Sequence, residues 1–206
     1  RNGDGSIAEM CGNGVRAFVE YLRTEGLIEL EVGETVKIGT RAGVKTVART
    51  EEGYAIDMGP WSFIHGEAAR EGGEDCLVSA RGLKTPRAGL SISMGNPHTV
   101  VMLGSDGKLD GLDLHSLPQV SPAPVNGTNV EFVVPVDLDV ESGAHVGAIR
   151  MRVHERGVGE TLSCGTGACA AAAATRFWGG EEAPDEWLVH VLSLIHISEP
   201  TRLGMI

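Results

Sequence analysis

Two stretches constrain this chain more than any others: Met10-Cys11-Gly12-Asn13-Gly14 near its start and Ser163-Cys164-Gly165-Thr166-Gly167 near its end. Both read Cys-Gly-x-Gly, and both open a segment with helical character. After the first, Val15, Phe18, Val19 and Leu22 fall on one face at helical spacing, which predicts a helix over residues 12–25 that Gly26 stops. After the second, Ala168–Thr175 is almost all alanine. Alanine is the best helix former, and its small side chain lets a helix sit close inside a sheet. This predicts a helix from Gly165 to about Trp178. The two halves of the chain therefore share one plan, a Cys-Gly-x-Gly turn, a helix and strands around it, and amount to a weak internal repeat.

A cysteine at such a turn has a chemical use. A free thiol has a pKa of about 8.5, so little of it is thiolate at neutral pH. A helix N-terminus presents unpaired N–H groups and the positive end of the dipole, which is expected to lower that value. Glycines let the backbone approach a ligand, and the turn suits a carboxylate. Two such turns fit a reaction that takes a proton from one face of an α-carbon and returns one to the other. Cys11 and Cys164 are thus the candidate acid/base pair.

At 206 residues the chain forms one large domain or two lobes. Its 29 glycines are about twice the usual share, favouring many turns and short strands, while scarce aromatics leave the core to Val, Leu, Ile and Ala. The net charge of −11 argues against nucleic acid or an anionic membrane as partner. The four cysteines, Cys11, Cys76, Cys164 and Cys169, form no C-x-x-C pair, so no zinc site is expected. They are too few for a disulfide scaffold, which points to a reducing, cytoplasmic setting. No apolar run approaches a membrane span, and no secretory leader is visible.

Strands are expected at Thr35–Ile38, Val44–Arg49 and Tyr54–Met58, and Gly59-Pro60 is the expected lobe boundary. Gly66–Asp75 reads as a surface loop. Further strands are expected at Leu90–Met94, Thr99–Leu103, Asn129–Val134, Val146–His154 and Glu186–Val191, with a short helix near Leu112–Leu117. Val146–His154 alternates apolar and polar residues with one phase slip at Ile149. The reading gives a first lobe over residues 1–60, a second over 61–191, and a tail, 192–206, that resembles translated vector sequence and is left outside the fold.

Longer motifs surround the two cysteines. Asn2-x-Asp4-Gly5-Ser6 precedes the first turn, which continues to Arg16, and Glu155-Arg156-Gly157-x-Gly159-Glu160-Thr161 precedes the second. Met94-Gly95-Asn96-Pro97-His98 and Thr128-Asn129-Val130-Glu131-Phe132 lie between. Together these resemble the diaminopimelate epimerase family over about residues 1–191. The resemblance implies an α+β fold of two pseudo-symmetric lobes, each a mostly antiparallel barrel around a central helix. It implies an isomerase that interconverts LL- and meso-diaminopimelate without a cofactor, on the way to lysine and peptidoglycan. Cys11 and Cys164 would be the two bases. His98 and Glu155 would tune the thiols and meet the substrate amine. Gly12, Asn13, Gly165 and Thr166 would hold the reacting α-carboxylate by their backbone N–H groups, and Asn2, Asn96, Asn129 and Arg156 the distal end. The substrate is thus the expected small-molecule partner, and the family often forms homodimers. Members carry a further stretch ahead of Asn2, with two more substrate contacts, and closing strands after Val191.

Other readings exist for the same residues. Free cysteine is among the most buried residue types, which makes Cys76 and Cys169 structural. Asn2, Asn96 and Asn129 taken alone are turn residues. A proline racemase or hydroxyproline epimerase also uses two cysteines, but its first motif has His after Cys-Gly where this chain has Asn13. A redox or binding protein with Cys11 and Cys164 as a disulfide is the alternative from another class.

Overall fold

The computed structural model describes residues 11–137, 145–192 and 195–198, the last four by their backbone. The chain divides into two compact units, Arg1–Gly59 and Pro60–Ile206.

In the first unit, helix α1 spans Gly12–Thr24. Val15 and Val19 are its buried stripe, and Leu22 packs against the same cluster. Phe18, expected on that face, is exposed instead. Gly26 adopts φ +67°, the left-handed conformation that ends a helix most cheaply with no Cβ present. Strands β1 (Thr35–Thr40), β2 (Gly43–Thr50) and β3 (Gly53–Ile56) then form an antiparallel meander. Ile38 and Val47 join Val15, Val19 and Leu30 in one apolar cluster. The exposed edge of α1 is tied to the sheet as well: the Tyr54 hydroxyl donates to Glu20, which also pairs with Arg23.

The second unit begins with β4 (Ser62–Phe63), α2 (Gly66–Gly72), β5 (Cys76–Ser79), β6 (Arg87–Ser93) and β7 (Pro97–Met102). It continues with α3 (Asp106–Asp110), β8 (Gln119–Ser121), β9 (Asn129–Pro135), β10 (Val146–Glu155) and β11 (Gly159–Thr161). Helix α4 (Gly165–Gly179), β12 (Glu186–His190) and β13 (Ile195–Ser198) complete it. The sheet runs β13-β12-β10-β9-β7-β6-β5-β8, with β11 on β10 and β4 on β6. Neighbours are antiparallel except β7–β9 and β10–β12, which are parallel. Strands β6, β7, β9, β10, β12 and β13 all pack against α4, so the sheet curls around that one helix as a half-barrel. The alanines make this possible: Ala168 and Ala170–Ala174 are buried, so almost the whole girth of the helix is enclosed.

The other face of the sheet carries Val78, Val101, Leu103, Val130, Phe132 and Val134, covered by Leu109 of α3 with Leu112 and Leu114. Strand β9 is therefore covered on both sides, and Asn129–Val134 is buried throughout. Its alternation sends Val130, Phe132 and Val134 to the α3 face, and Asn129, Glu131 and Val133 to the α4 face.

Four expectations change. Gly66–Gly72 is a helix rather than a loop: Ala69 is fully buried, and Gly73 closes the turn at φ +69°. One buried residue gives no periodicity to read. The short helix lies at Asp106–Asp110 instead of Leu112–Leu117. Leu112 and Leu114 are buried while Asp113 between them is not, which is strand-like alternation. The slip at Ile149 disappears. Arg150 and Arg152 reach Asp110 and the Leu109 carbonyl on the α3 side, so Ile149, Met151, Val153 and Glu155 form the opposite, α4-facing set. The run Ile195–Ser198, set aside in the sequence reading, pairs antiparallel with β12; its Ile-His-Ile-Ser alternation suits a strand.

Candidate active site

The two cysteines occupy the same position in two helices. Cys11 is the N-cap of α1 at φ −137°, ψ 109°, and Cys164 the N-cap of α4 at φ −131°, ψ 112°. In each, the sulfur accepts the N–H of the residue three further on: Gly14 to Cys11 Sγ at 3.4 Å, and Gly167 to Cys164 Sγ at 3.4 Å. That acceptor position usually belongs to a Ser, Thr, Asp or Asn oxygen. Sulfur is a weaker acceptor, so cysteine there serves helix stability less well than serine would. The first backbone N–H groups of each helix have no intrahelical acceptor by helix geometry, so each cap sets a thiol beside a potential carboxylate cradle.

The surroundings of the two thiols differ. Cys11 is exposed. Cys164 is 8% exposed and has the Thr166 hydroxyl 3.5 Å from its sulfur. Burial pushes the Cys164 thiol up to about 12, with the nearby Glu131 and Glu155 charges acting in the same direction. The Thr166 hydroxyl and the Gly167 N–H pull the other way but do not prevail. The lowering expected at a helix N-terminus is opposed at Cys164 by desolvation and by the two carboxylates.

From Thr166 a chain of polar contacts runs into the sheet. Asn96 Nδ2 donates to Thr166 Oγ1 at 3.4 Å, and Asn96 Oδ1 lies 3.1 Å from His98 Nε2. His98 Nδ1 is 2.7 Å from Glu131 Oε1, and both side chains are fully buried. This network joins Thr166, Asn96 and His98 to Cys164. Glu155 bears on the thiol electrostatically and accepts the Thr161 hydroxyl.

Asn129 and Arg156 form a separate pair. Asn129 Nδ2 donates to the Pro97 carbonyl at 3.0 Å, and its Oδ1 accepts the Arg156 backbone N–H at 2.9 Å. The amide is thereby engaged at both ends, tying β7 and β9 to the turn after β10. The half-buried Arg156 guanidinium donates to the Asn126 carbonyl at 3.0 Å and has no ion pair among the described residues. In the first unit Gly12 is buried and Asn13 exposed; Asn13 Oδ1 accepts from Arg16, which also donates to the Tyr54 carbonyl. Asn2 lies outside the described residues.

Sequence reasoning missed Glu131. Its signal was a charged residue two positions after Asn129 in a strand buried on both sides, which puts both on one face of the sheet. Of the remaining cysteines, Cys76 is buried and pushed up to about 12 by desolvation and then by Asp75, while Cys169 is partly buried. Among the described residues no group of three His, Cys, Asp or Glu side chains could hold a metal ion, and no helix is long and apolar enough to cross a membrane.

The fold, a sheet curled around one helix, is shared with solved α+β proteins. A Bacillus anthracis phenazine biosynthesis protein superposes with TM-score 0.56 at 16% identity, over 92% of this chain and 66% of that one. A hydroxyproline epimerase from Agrobacterium vitis, with bound trans-4-hydroxy-L-proline, gives TM-score 0.57 at 17% identity, over 89% of this chain and 56% of that one. These place the fold. The sequence goes further: the diaminopimelate epimerase family model matches residues 1–64 and 90–195. A diaminopimelate epimerase from Rhodococcus erythropolis is 40% identical over 185 residues, 88% of this chain and 58% of the relative. The chain belongs to the diaminopimelate epimerase family, a family of isomerases. It spans a little over half the length of the curated relatives it matches.

Proposed function

We propose that this chain carries the two acid/base cysteines of a diaminopimelate epimerase, which interconverts LL- and meso-diaminopimelate by proton transfer at the α-carbon without a cofactor. The observation that supports this best is the matched pair of caps: two cysteines with nearly the same backbone dihedrals, each sulfur held by the N–H three residues on. On this reading Cys11 and Cys164 act on opposite faces of the α-carbon. The N–H groups of Gly12, Asn13, Gly165 and Thr166 hold the α-carboxylate, where negative charge grows as the proton leaves. His98 and Glu155 adjust the second thiol and receive the substrate amine. Asn2, Asn96, Asn129 and Arg156 receive the distal end. The units then correspond to two pseudo-symmetric lobes, each built around its own cysteine-capped helix.

Turnover in deuterated water tests the reading, on this chain and on a chain extended to the length of its relatives. With two bases, product carries solvent deuterium while substrate recovered early carries little, because the abstracting thiol mostly returns its own proton. Cys11→Ser and Cys164→Ser each replace a thiol by a much poorer base, and each should cripple both directions. Near-normal rates both ways in either variant would refute the two-thiol mechanism. Arg156→Lys keeps the charge but loses the planar fork and should raise KM with the fold intact; unchanged kinetics would remove Arg156 from the substrate contacts.

A further inference from the structure

Beneath the first turn of α4 lies a carboxylate that the reading above does not use. Glu131 is fully buried; its Oε1 meets His98, and its Oε2 has no hydrogen-bond partner among the described residues. Gly167 makes room for it. A Cβ added to Gly167 would lie 2.7 Å from Glu131 Oε1 and 3.2 Å from Cys164 Sγ. Those two distances put the carboxylate oxygen no more than about 6 Å from the sulfur, within the range where like charges disfavour each other's ionised forms. The equivalent Gly14 has no such neighbour: a Cβ there would meet only Cys11 Cβ and Sγ, both at 3.5 Å.

We propose that Glu131 is a positioning residue whose buried carboxylate disfavours the thiolate of Cys164, so that Cys164 rests as a thiol and is the proton donor in the direction in which Cys11 abstracts. The charge is held in place by three features. The His98 ring contacts Oε1 at 2.7 Å. The N-terminal end of α4 stands above it and favours a negative charge. The buried strand β9 fixes its direction. The groups bearing on the sulfur from the packed elements are Glu131 on β9, Glu155 at the end of β10, and His98 on β7 through Asn96 and Thr166. Glu155 is half-buried and bonded to Thr161, whereas Glu131 is fully enclosed, so its charge is the less screened of the two.

The proposal rests on Cys164 being a proton-transferring thiol, but its test needs no turnover. Iodoacetamide alkylation of Cys164 is followed by peptide mass spectrometry across the alkaline range in the full chain, with Cys11 as internal reference. Glu131→Gln keeps the shape and removes the charge. It should lower the Cys164 midpoint by about one pH unit, which is about tenfold faster alkylation at a fixed pH below it. Glu131→Asp retains the charge and should stay nearer to the unsubstituted chain than to the Gln variant. An unchanged midpoint in Glu131→Gln, or an equal shift in both variants, overturns the proposal. So does a Cys164 midpoint at or below that of a free thiol in the unsubstituted chain, whichever variants fold. Loss of deuterium incorporation with an altered midpoint, by contrast, would leave this assignment standing and count against the reaction.

Discussion

The caps of α1 and α4 are nearly the same object in two different solvents. Their φ and ψ angles differ by a few degrees, and each sulfur takes the N–H of a glycine three residues on. Yet Cys11 is exposed, whereas Cys164 is buried and its thiol is pushed up to about 12. The helix dipole is common to both, so it does not account for that push. What sets Cys164 apart is desolvation by the curled sheet and the carboxylates that the sheet brings close. A capping motif thus fixes where a thiol stands, and its surroundings fix what the thiol does.

The helices behind the caps differ in the same sense, and the largest expected effect exploits that. Ala172 on α4 is fully enclosed, while Ala17 on α1 is exposed. Ala172→Leu should cost about 1–3 kcal/mol by overpacking, and Ala17→Leu should stay within about 0.5 kcal/mol. Equal urea midpoints for the two variants would contradict the enclosure of α4.

The cap glycines come next. Gly167→Ala drives a methyl into Glu131 and should cost about 1–3 kcal/mol. Gly14→Ala meets ordinary contacts and should stabilise by up to about 1 kcal/mol through helix propensity. Two urea titrations read the sign of each, and a stabilised Gly167→Ala would remove the carboxylate from beneath that turn.

The two units should also respond to opposite ends of the pH scale. Cys76 and Cys164 are held at about 12 against an ordinary value of 9.0. Between those values the unfolded chain loses protons that the folded chain keeps, so stability is full below about pH 9 and falls as pH rises toward 12. Hydrogen exchange should show the second unit loosening first in alkali. Loosening confined to the first unit would argue against buried neutral thiols.

The smallest effect is on the acid side. Hydrogen bonds from Arg23 and Tyr54 hold Glu20 at about 2 rather than 4.5. Their contribution is present above pH 4.5 and is lost as pH falls toward 2. The fraying of α1 in acid should therefore be similar in Glu20→Gln and the unsubstituted chain only below that window. A variant as stable as the parent at neutral pH would show that the Glu20 contacts add nothing.

What the sequence determined by itself is local. The spacing of Val15 and Val19, the stop at Gly26, the alanine run and the two cysteine turns are set by contacts three to four residues apart, so they can be read in a single window of sequence. The strands were legible for the same reason, since alternation is a local signal. The misreadings occurred where that signal was absent or ambiguous: α2, with one buried residue, and residues 112–117, whose leucines fit either period. Phe18 shows the limit of the pattern even in a well-read helix, because periodicity marks a face but not which of its residues the sheet covers. Only the tertiary structure decided the state of the second thiol. Glu131 reaches the α4 turn through the register of β9 beside β7, and Cys164 loses water because distant strands close around its helix. Desolvation and the repulsion of like charges depend on distance in space, and the separation of Glu131 from Cys164 along the chain carries no record of either.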